Sequence, residues 1–595
     1  MKFFSYKKIT AALNEQRSPR DFFSFVMVRG LILVAALFFL VAVGYPLGLV
    51  RAANYGDIVN FNVDKNFDAS ARTKITATLI KTANNLYFYI EKTWWDSQPQ
   101  AKQIEVLAYL DNLSYEFDSK IYPILTSVFG SEWKPGVDGD NRITVLFEAM
   151  NSNESGYFRT TDEYIKLQLP DSNEREMVYL SLDHFSDPKL KIFLAHEFTH
   201  LITFNQKNKN FNIEEDTWLN EARADYSSTI LGYDDKYEGS NLQQRVKNFI
   251  ENPSDSITEW IGTKYDYASA SIFMHYFIDH YGIDILIDSL KSKYIGIDSI
   301  NYVLQKSGSK DNFEQIFTNW TIASVLNNCS IGQKYCYLNQ NLKNFRLGPS
   351  LNFLPLTGNV SLSVTNVTKS WTGNWIKFIG GNGDLKLDFS SLKGLNFRVP
   401  YIVEDSAGSY AVKFLVLDKD EKGEININKF GSDYKSLIII PSLQSDIYKS
   451  DDLEPTYPFS YTVAVTGFTP VGDQDLIQQL LDRIAALRQE IARLQGQKNN
   501  SNSQNFCSQL DSNLYFGMAN NSDVKCLQEF LKNQGADIYP EGFVTGNFAN
   551  LTKQAVIKFQ EKYVSDILTP IGLSNGTGYV GAQTRMKINQ ILNGG

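Results

Sequence analysis

Histidine and cysteine are nearly missing from this chain: 595 residues hold 5 and 4 of them. The cysteines fall in two local pairs, Cys329 with Cys336 and Cys507 with Cys526, and neither pair has the Cys-x-x-Cys spacing of a cysteine-held zinc site. Two short-range disulfides are the expectation, which places the chain in an oxidising compartment. Positive charge is not in excess either. A formal net charge of -9 leaves no basic footprint, so nucleic acid is excluded as a partner. Apolar residues are not scarce: at 43% they support real cores, and the length predicts about three or four domains.

Charge of both signs vanishes over one stretch, Gly30 to Val50, while Lys2, Lys7, Lys8, Arg17, Arg20 and Arg29 precede it. Those 21 residues are enough to span a bilayer with the basic flank in the cytoplasm. They equally fit a signal peptide, with Leu31 to Val43 as its apolar core, Pro46 as the breaker and Val50-Arg-Ala52 as a cleavage site. Both readings export the remainder and set residues 1–53 apart; anchored or released stays open.

Against the scarcity of histidine, His196-Glu-Phe-Thr-His200 stands out. A chain of this composition produces that pattern by chance about 0.002 times. It lies in Asp187-Pro-Lys-Leu-Lys-Ile-Phe-Leu-Ala-His-Glu-Phe-Thr-His-Leu-Ile-Thr-Phe204. Asp187 suits a helix cap and Pro188 the first helical position. Leu190, Phe193, Leu194, Phe198, Leu201 and Ile202 make the helix apolar on nearly every side, so it should be buried. Two imidazoles four apart then leave one face with a carboxylate beside them. Buried polar groups are costly unless satisfied, and a divalent metal satisfies these. The spacing predicts zinc held by His196 and His200, with Glu197 taking the proton of the attacking water. A third ligand is needed. Downstream, Asp216-Thr-Trp-Leu-Asn-Glu-Ala-Arg-Ala-Asp-Tyr226 has helical spacing and puts Glu221 and Asp225 on one face.

These words resemble the gluzincins, the thermolysin-like clan of zinc metallopeptidases. The resemblance implies Glu221 as the third zinc ligand and Asp225 as the carboxylate that orients a zinc imidazole from behind. One departure is that 20 residues separate His200 from Glu221, slightly more than in the best-known members. It lengthens the polar connection Asn205 to Asp216. A third helix is expected over Tyr265 to Gly282, similar to the Tyr-x-x-Ser-x-x-Phe-x-x-Tyr segment of many secreted relatives of that clan. The resemblance implies an oxyanion donor there, Tyr267 first, then Tyr265 and His275. His184 and His280 are assigned no role. It also implies a small sheet before the zinc helix whose edge strand pairs with an extended peptide substrate. Arg142 to Phe147 and Glu176 to Ser181 read as two of its strands, and Asn54 to Tyr115 reads as mainly helical. Asp138-Gly-Asp-Asn141 starts like a calcium loop without the rest of one, so it is read as a turn.

After about Phe345 the texture becomes alternating and Gly/Ser-punctuated: 360–364, 375–379, 385–389, 411–417, 437–440 and 461–465 read as short strands of an all-β sandwich. Asp418-x-Asp420 with Gly423 also imitates a calcium loop, but Lys429 in the twelfth position rejects it. Ile477, Leu480, Ile484, Leu487, Ile491 and Leu494 alternate three and four apart, the pattern of a two-stranded coiled coil and hence of a dimer. Arg483 facing Arg488 opposes it, and a stalk or a helix docked on its own chain fits as well. Asn499 to Asn505 is a flexible linker. The last segment carries Val524-Lys-Cys-Leu-Gln-Glu-Phe-Leu531, Gly542-Phe-Val-Thr545 and Ala555-Val-Ile-Lys-Phe-Gln560. These words closely resemble the three-helix peptidoglycan-binding domain and imply peptidoglycan as a partner.

The expected architecture is therefore multidomain: an α+β zincin-like metallopeptidase domain over 54–345, a β-sandwich over 346–470, a short coiled-coil stalk and linker over 473–505, and a small three-helix domain over 506–595. The expected partners are a protein or peptide substrate, peptidoglycan, and the membrane if the N-terminal segment stays uncleaved.

Overall fold

The computed structural model describes residues 53–592 apart from 153, 446–453, 468–508, 517, 519–520 and 541. The uncharged stretch 30–50 and the heptad 477–494 lie outside the described residues. No helix among the described residues is long and apolar enough to cross a membrane. The chain forms two compact units, 1–470 and 471–595.

The first unit opens with a six-stranded sheet, β1 (Ile58–Asn62), β2 (Lys74–Thr82), β3 (Leu86–Glu91), β4 (Ile143–Glu148), β5 (Gly156–Phe158) and β6 (Met177–Ser181), in the order β1-β2-β3-β4-β6-β5. The helical expectation for 54–115 is thus corrected: its first half is strand, and helices begin only at Lys92–Ser97 and Gln100–Glu116. The reason lies in the residues. Ile75, Ala77 and Leu79 alternate, and Leu-Tyr-Phe-Tyr-Ile is aromatic and β-branched, which favours a pleated surface. The central strands β3, β4 and β6 are parallel and buried on both faces. Phe88, Ile90, Val145, Phe147, Val178 and Leu180 face the helices, while Tyr87, Tyr89, Leu146, Met177 and Tyr179 pack with Phe61 and Ile75 on the other side. The edge strand β5 runs antiparallel to β6.

Against the helical face lies the helix Leu190–Phe204, buried along most of its length as its all-round apolar sequence requires. It starts three residues after Asp187, whose Oδ1 accepts the Lys189 N–H at 2.8 Å in the turn before the helix rather than capping it. The polar segment after it is not all loop. Asn205–Lys209 continues as one wide turn, and buried Lys207 donates from Nζ to the carbonyls of Ser289, Ser292 and Tyr294. Further helices follow, among them Thr217–Ile230, Asn241–Glu251, Lys264–Tyr281 and Phe313–Leu326. Cys329 and Cys336 form a disulfide after the last of them. Cys526 is also disulfide-bonded, and Cys507, the partner expected for it, lies outside the described residues.

Residues 350–466 form a nine-stranded sheet folded on itself, with a strand at each of the six expected places and further strands at Ser350–Leu354, Pro400–Asp405 and Lys422–Phe430. Phe378, Leu387, Phe389, Ile425, Leu437 and Val463 fill its interior. Part of its second face, on the strands Pro400–Asp405 and Tyr434–Ile439, is buried too. Ile402, Ile438 and Ile440, with Trp371 and Trp375 from the preceding connection, belong to the same core as Phe313, Phe317 and Trp320 of the helical part. The Trp375 indole N–H donates to the Thr321 carbonyl at 2.8 Å and Gln444 Nε2 to Thr318 Oγ1 at 2.7 Å. Lys369 pairs with buried Glu259, which also accepts the Glu454 N–H at 2.8 Å.

The second unit holds the helices Ser522–Asn533, Asn550–Lys562 and Ala582–Leu592 around Leu510, Leu527, Phe530, Val556, Phe559 and Ile588. Two buried glutamines brace its turns. Gln528 accepts from the N–H groups of Thr545 and Gly546 and donates to Thr552, 17, 18 and 24 positions on. Gln560 does the same with Thr577, Gly578 and Thr584, again at 17, 18 and 24.

Candidate metal centre

The helix Leu190–Phe204 turns His196 and His200 toward one side, with ring centroids 4.9 Å apart. The helix Thr217–Ile230 crosses it and delivers Glu221 between them. Its Oε2 lies 3.1 Å from His196 Nε2 and its Oε1 3.5 Å from His200 Nε2. One donor atom from each residue fits within 4.8 Å of the others, the spread a single ion needs. Two imidazole nitrogens and a carboxylate are a zinc donor set that leaves a fourth position open. Burial resists charge on His200, yet Glu221 outweighs it and lifts the imidazole to about 9, while the same attraction drives Glu221 far down.

Behind the donors stands Asn220, which the sequence reading missed although it directly precedes Glu221. Its Oδ1 lies 3.1 Å from His200 Nδ1. An amide oxygen there accepts the ring N–H and leaves Nε2 free for the ion.

Glu197 is buried beside the donors, and burial raises its carboxyl above the ordinary range. β5 passes directly over it. A Cβ on Gly156 would lie 3.1 Å from Glu197 Oε1 and 2.7 Å from the Tyr179 carbonyl, so only glycine lets this edge strand come so close. Two residues on, Phe158 stacks on His200 at 6.3 Å. The three-residue strand was absent from the sequence reading; it is too short to show an alternation.

Asp225 lies on the same helix as Glu221, and its field acts on His196. The structure gives the neighbourhood expected of it and not the imidazole hydrogen bond: its Oδ1 accepts from Arg245 at 2.7 Å and from Asn241 Nδ2 at 2.9 Å, and its Oδ2 from Arg245 Nε at 3.3 Å. Neither residue was singled out in the sequence, because both lie on the next helix, Asn241–Glu251, with no local pattern to mark them. Arg245 also lies 4.8 Å over the ring of Tyr267.

Tyr267 is at the site, 6.3 Å from His196 between ring centroids and braced edge-on by Trp260 at 4.7 Å. Burial and then the charge of Glu221 push its hydroxyl well above its usual range, so it stays protonated. Among the described residues that hydroxyl has no hydrogen-bond partner. Tyr265, two residues earlier on the same helix, lies under Lys264, and His275 is packed away against Tyr226, pushed down to about 4 by burial. His184 bonds Ser155 Oγ at 3.2 Å, and His280 bonds the Cys336 carbonyl at 2.9 Å. A cleft of about 580 Å³ opens here, lined by Gly156, His196, Glu197, Asp225, Arg245 and Tyr267 among others.

The two outer carboxamide and carboxylate partners predict different losses. Asn220→Ala should shift the dependence of activity on buffered zinc about 10- to 100-fold, with excess zinc restoring most of the rate. Asp225→Ala should also lower stability by about 3 kcal/mol, because it strands Arg245, whose side chain is only 17% exposed. Thermal melts and zinc titrations of the two variants check this. Coincident zinc curves for Asn220→Ala and wild type would remove Asn220 from the centre.

No known family model matches this chain. Solved structures with local similarity include the Yersinia pseudotuberculosis-derived mitogen (12% identity, 19% of this chain and 92% of that one, TM-score 0.14). Another is the pre-peptidase C-terminal domain of Bacillus anthracis collagenase (9% identity, 20% and 96%, TM-score 0.14). Scores this low carry no weight for fold. In sequence, the chain is 32% identical over 170 residues to the neutral metalloprotease ShpI of Staphylococcus hyicus, 25% of this chain and 36% of that protein. Spanning about a third of that relative's length, the chain has a metalloprotease relationship over the matched part.

Proposed function

We propose that the chain is an exported zinc-dependent endopeptidase of gluzincin type, brought to the cell wall by its C-terminal unit. The observation that carries the reading is the convergence of His196, His200 and Glu221 beside Glu197 and under an antiparallel edge strand. The relationship to a metalloprotease supports it. His196 Nε2, His200 Nε2 and one Glu221 oxygen would hold the zinc. When bound, zinc polarises the substrate carbonyl and makes water acidic enough to be deprotonated near neutral pH.

The protein's own groups do the rest. An extended substrate adds to the free edge of β5, so backbone hydrogen bonds position the scissile peptide over Glu197. Glu197 takes a proton from the attacking water as its oxygen bonds to the carbonyl carbon. The Tyr267 hydroxyl donates to the carbonyl oxygen as negative charge collects there. When the C–N bond breaks, Glu197 returns the proton to the departing amine.

The basic flank and the uncharged stretch 30–50 support export. The resemblance of 506–595 to the peptidoglycan-binding domain supports wall binding. Purified protein should contain about one zinc per chain and hydrolyse casein, with chelator abolishing the activity. His196→Ala/Glu221→Ala should lose both zinc and activity. Full metal retention in that variant would overturn the ligand set. Release of peptides from purified cell wall with casein untouched would move the substrate to peptidoglycan cross-links. Failure of the protein to co-sediment with peptidoglycan would remove the wall as its address.

A further inference from the structure

At the end of the cleft where β5 begins, one charge is left unanswered. The cleft is lined by charged side chains of both signs, Glu154, Glu197, Asp225, Arg245 and Lys264. Arg245 donates to Asp225 at 2.7 Å, and Lys264 Nζ to Glu251 Oε2 at 2.6 Å. Glu197 is the buried base of the proposed reaction. Glu154 is half-buried, and among the described residues no hydrogen bond or opposite charge meets its carboxylate. Burial alone raises that carboxyl above the ordinary range. A carboxylate with nothing to offset its lost hydration gains from a cation that enters the cleft.

The strand fixes where that charge meets a substrate. The Ser155 carbonyl accepts the Ser181 N–H at 3.0 Å, so Ser155 turns its backbone groups to β6. In an antiparallel ladder the next residue turns its own away, and Gly156 therefore offers its N–H and C=O to the free edge. Side chains alternate too, so 156 and 158 share the face on which Gly156 lies over Glu197 and Phe158 stacks on His200. Carried back two residues, the alternation brings Glu154 to that face, in keeping with its place in the cleft lining. Two residues of extended chain are about 7 Å. The neighbouring Ser155 is held, its Oγ 3.2 Å from His184 Nε2, and the His184 ring packs 5.0 Å from that of Phe193. Phe193 and Ile192, both half-buried, give the cleft an apolar wall.

We propose that Glu154 selects substrates with a lysine or arginine two positions from the residue that Gly156 holds, an assignment that rests on the endopeptidase reading and adds to it the class of peptide. A basic side chain suits both features. Its apolar stem covers Phe193 and Ile192 while its charged end meets the carboxylate. An acidic residue at the same place is repelled by Glu154 and finds Arg245 and Lys264 already engaged.

The test uses the full zinc-loaded chain and ten-residue fluorogenic peptides, acetylated and amidated so that no terminal charge competes. One lysine is walked through the positions flanking the cleaved bond and replaced in turn by glutamine and by glutamate. At one position lysine should raise kcat/KM about fivefold over glutamine, the upper end for a partly exposed ion pair, and glutamate should lower it. Added salt should shrink both differences. In Glu154→Gln the lysine-to-glutamine ratio should fall to about one, and in Glu154→Lys glutamate should become the preferred residue. A ratio of two substrates on one sample cancels any loss of folded or zinc-loaded protein. Equal cleavage of the three series by the wild type overturns the assignment of Glu154, as does a lysine preference that survives in Glu154→Gln. A wild type that cleaves neither these peptides nor casein overturns the endopeptidase reading, and this inference with it.

Discussion

Glu197→Gln should leave a folded protein with its zinc in place and turnover lowered about a hundred- to ten-thousand-fold. The size follows from the loss of a positioned general base. The change is nearly isosteric, so the contact with β5 at Gly156 survives, and glutamine is no worse than a neutral carboxyl in this buried position. The three donor residues are not altered. Metal content measured beside kcat separates this outcome from simple loss of the site: zinc gone with the activity would make Glu197 a structural or ligating residue, and activity retained would take it out of the reaction. Tyr267→Phe should act more mildly, since one neutral donor is lost while the braces from Trp260 and Arg245 remain.

A fragment ending near residue 345 should fail to fold. The expected boundary at 345/346 reads in sequence as a change of texture, and such changes are usually linkers. In the structure it is a shared core. Removing residues 346–470 would uncover Phe313, Phe317 and Trp320, which are at most 1% exposed, and free the carbonyl of Thr321 from the Trp375 indole. Trp375→Ala alone should cost about 3–5 kcal/mol. Denaturant unfolding of residues 54–470, followed by tryptophan fluorescence and by activity, should show one coincident transition. Two separate transitions, or a soluble and active 54–345 fragment, would show that the β region is only attached.

What was legible in the sequence was local. His196, Glu197 and His200 share one helix, and their geometry follows from the helical repeat alone. Glu221 and Asp225 are four apart on a second helix, and the resemblance linked the two. Asn220 could have been found from its place beside Glu221. Arg245 could not, since its salt bridge to Asp225 spans 20 positions and joins two helices. The strands at 58–91 are hard to separate from the helices after them because β3 ends at Glu91 and a helix starts at Lys92 with no Gly or Pro between. Trp375 reads in sequence as the first residue of a strand, and only the partner core gives it, with Trp371, a role.

The matched glutamine braces of the second unit have a consequence for its ancestry. Two helices that each present a glutamine to a turn at the same offsets, 17, 18 and 24, are one motif written twice. A short gene segment doubled in tandem would leave this trace, each copy supplying a helix and the loop that its own glutamine ties down. Such copies drift in sequence while their hydrogen bonds stay the same. Exchanging the Thr545–Thr552 turn for Thr577–Thr584 should then give a protein that still folds, a fossil equivalence preserved in the bonding of two side chains.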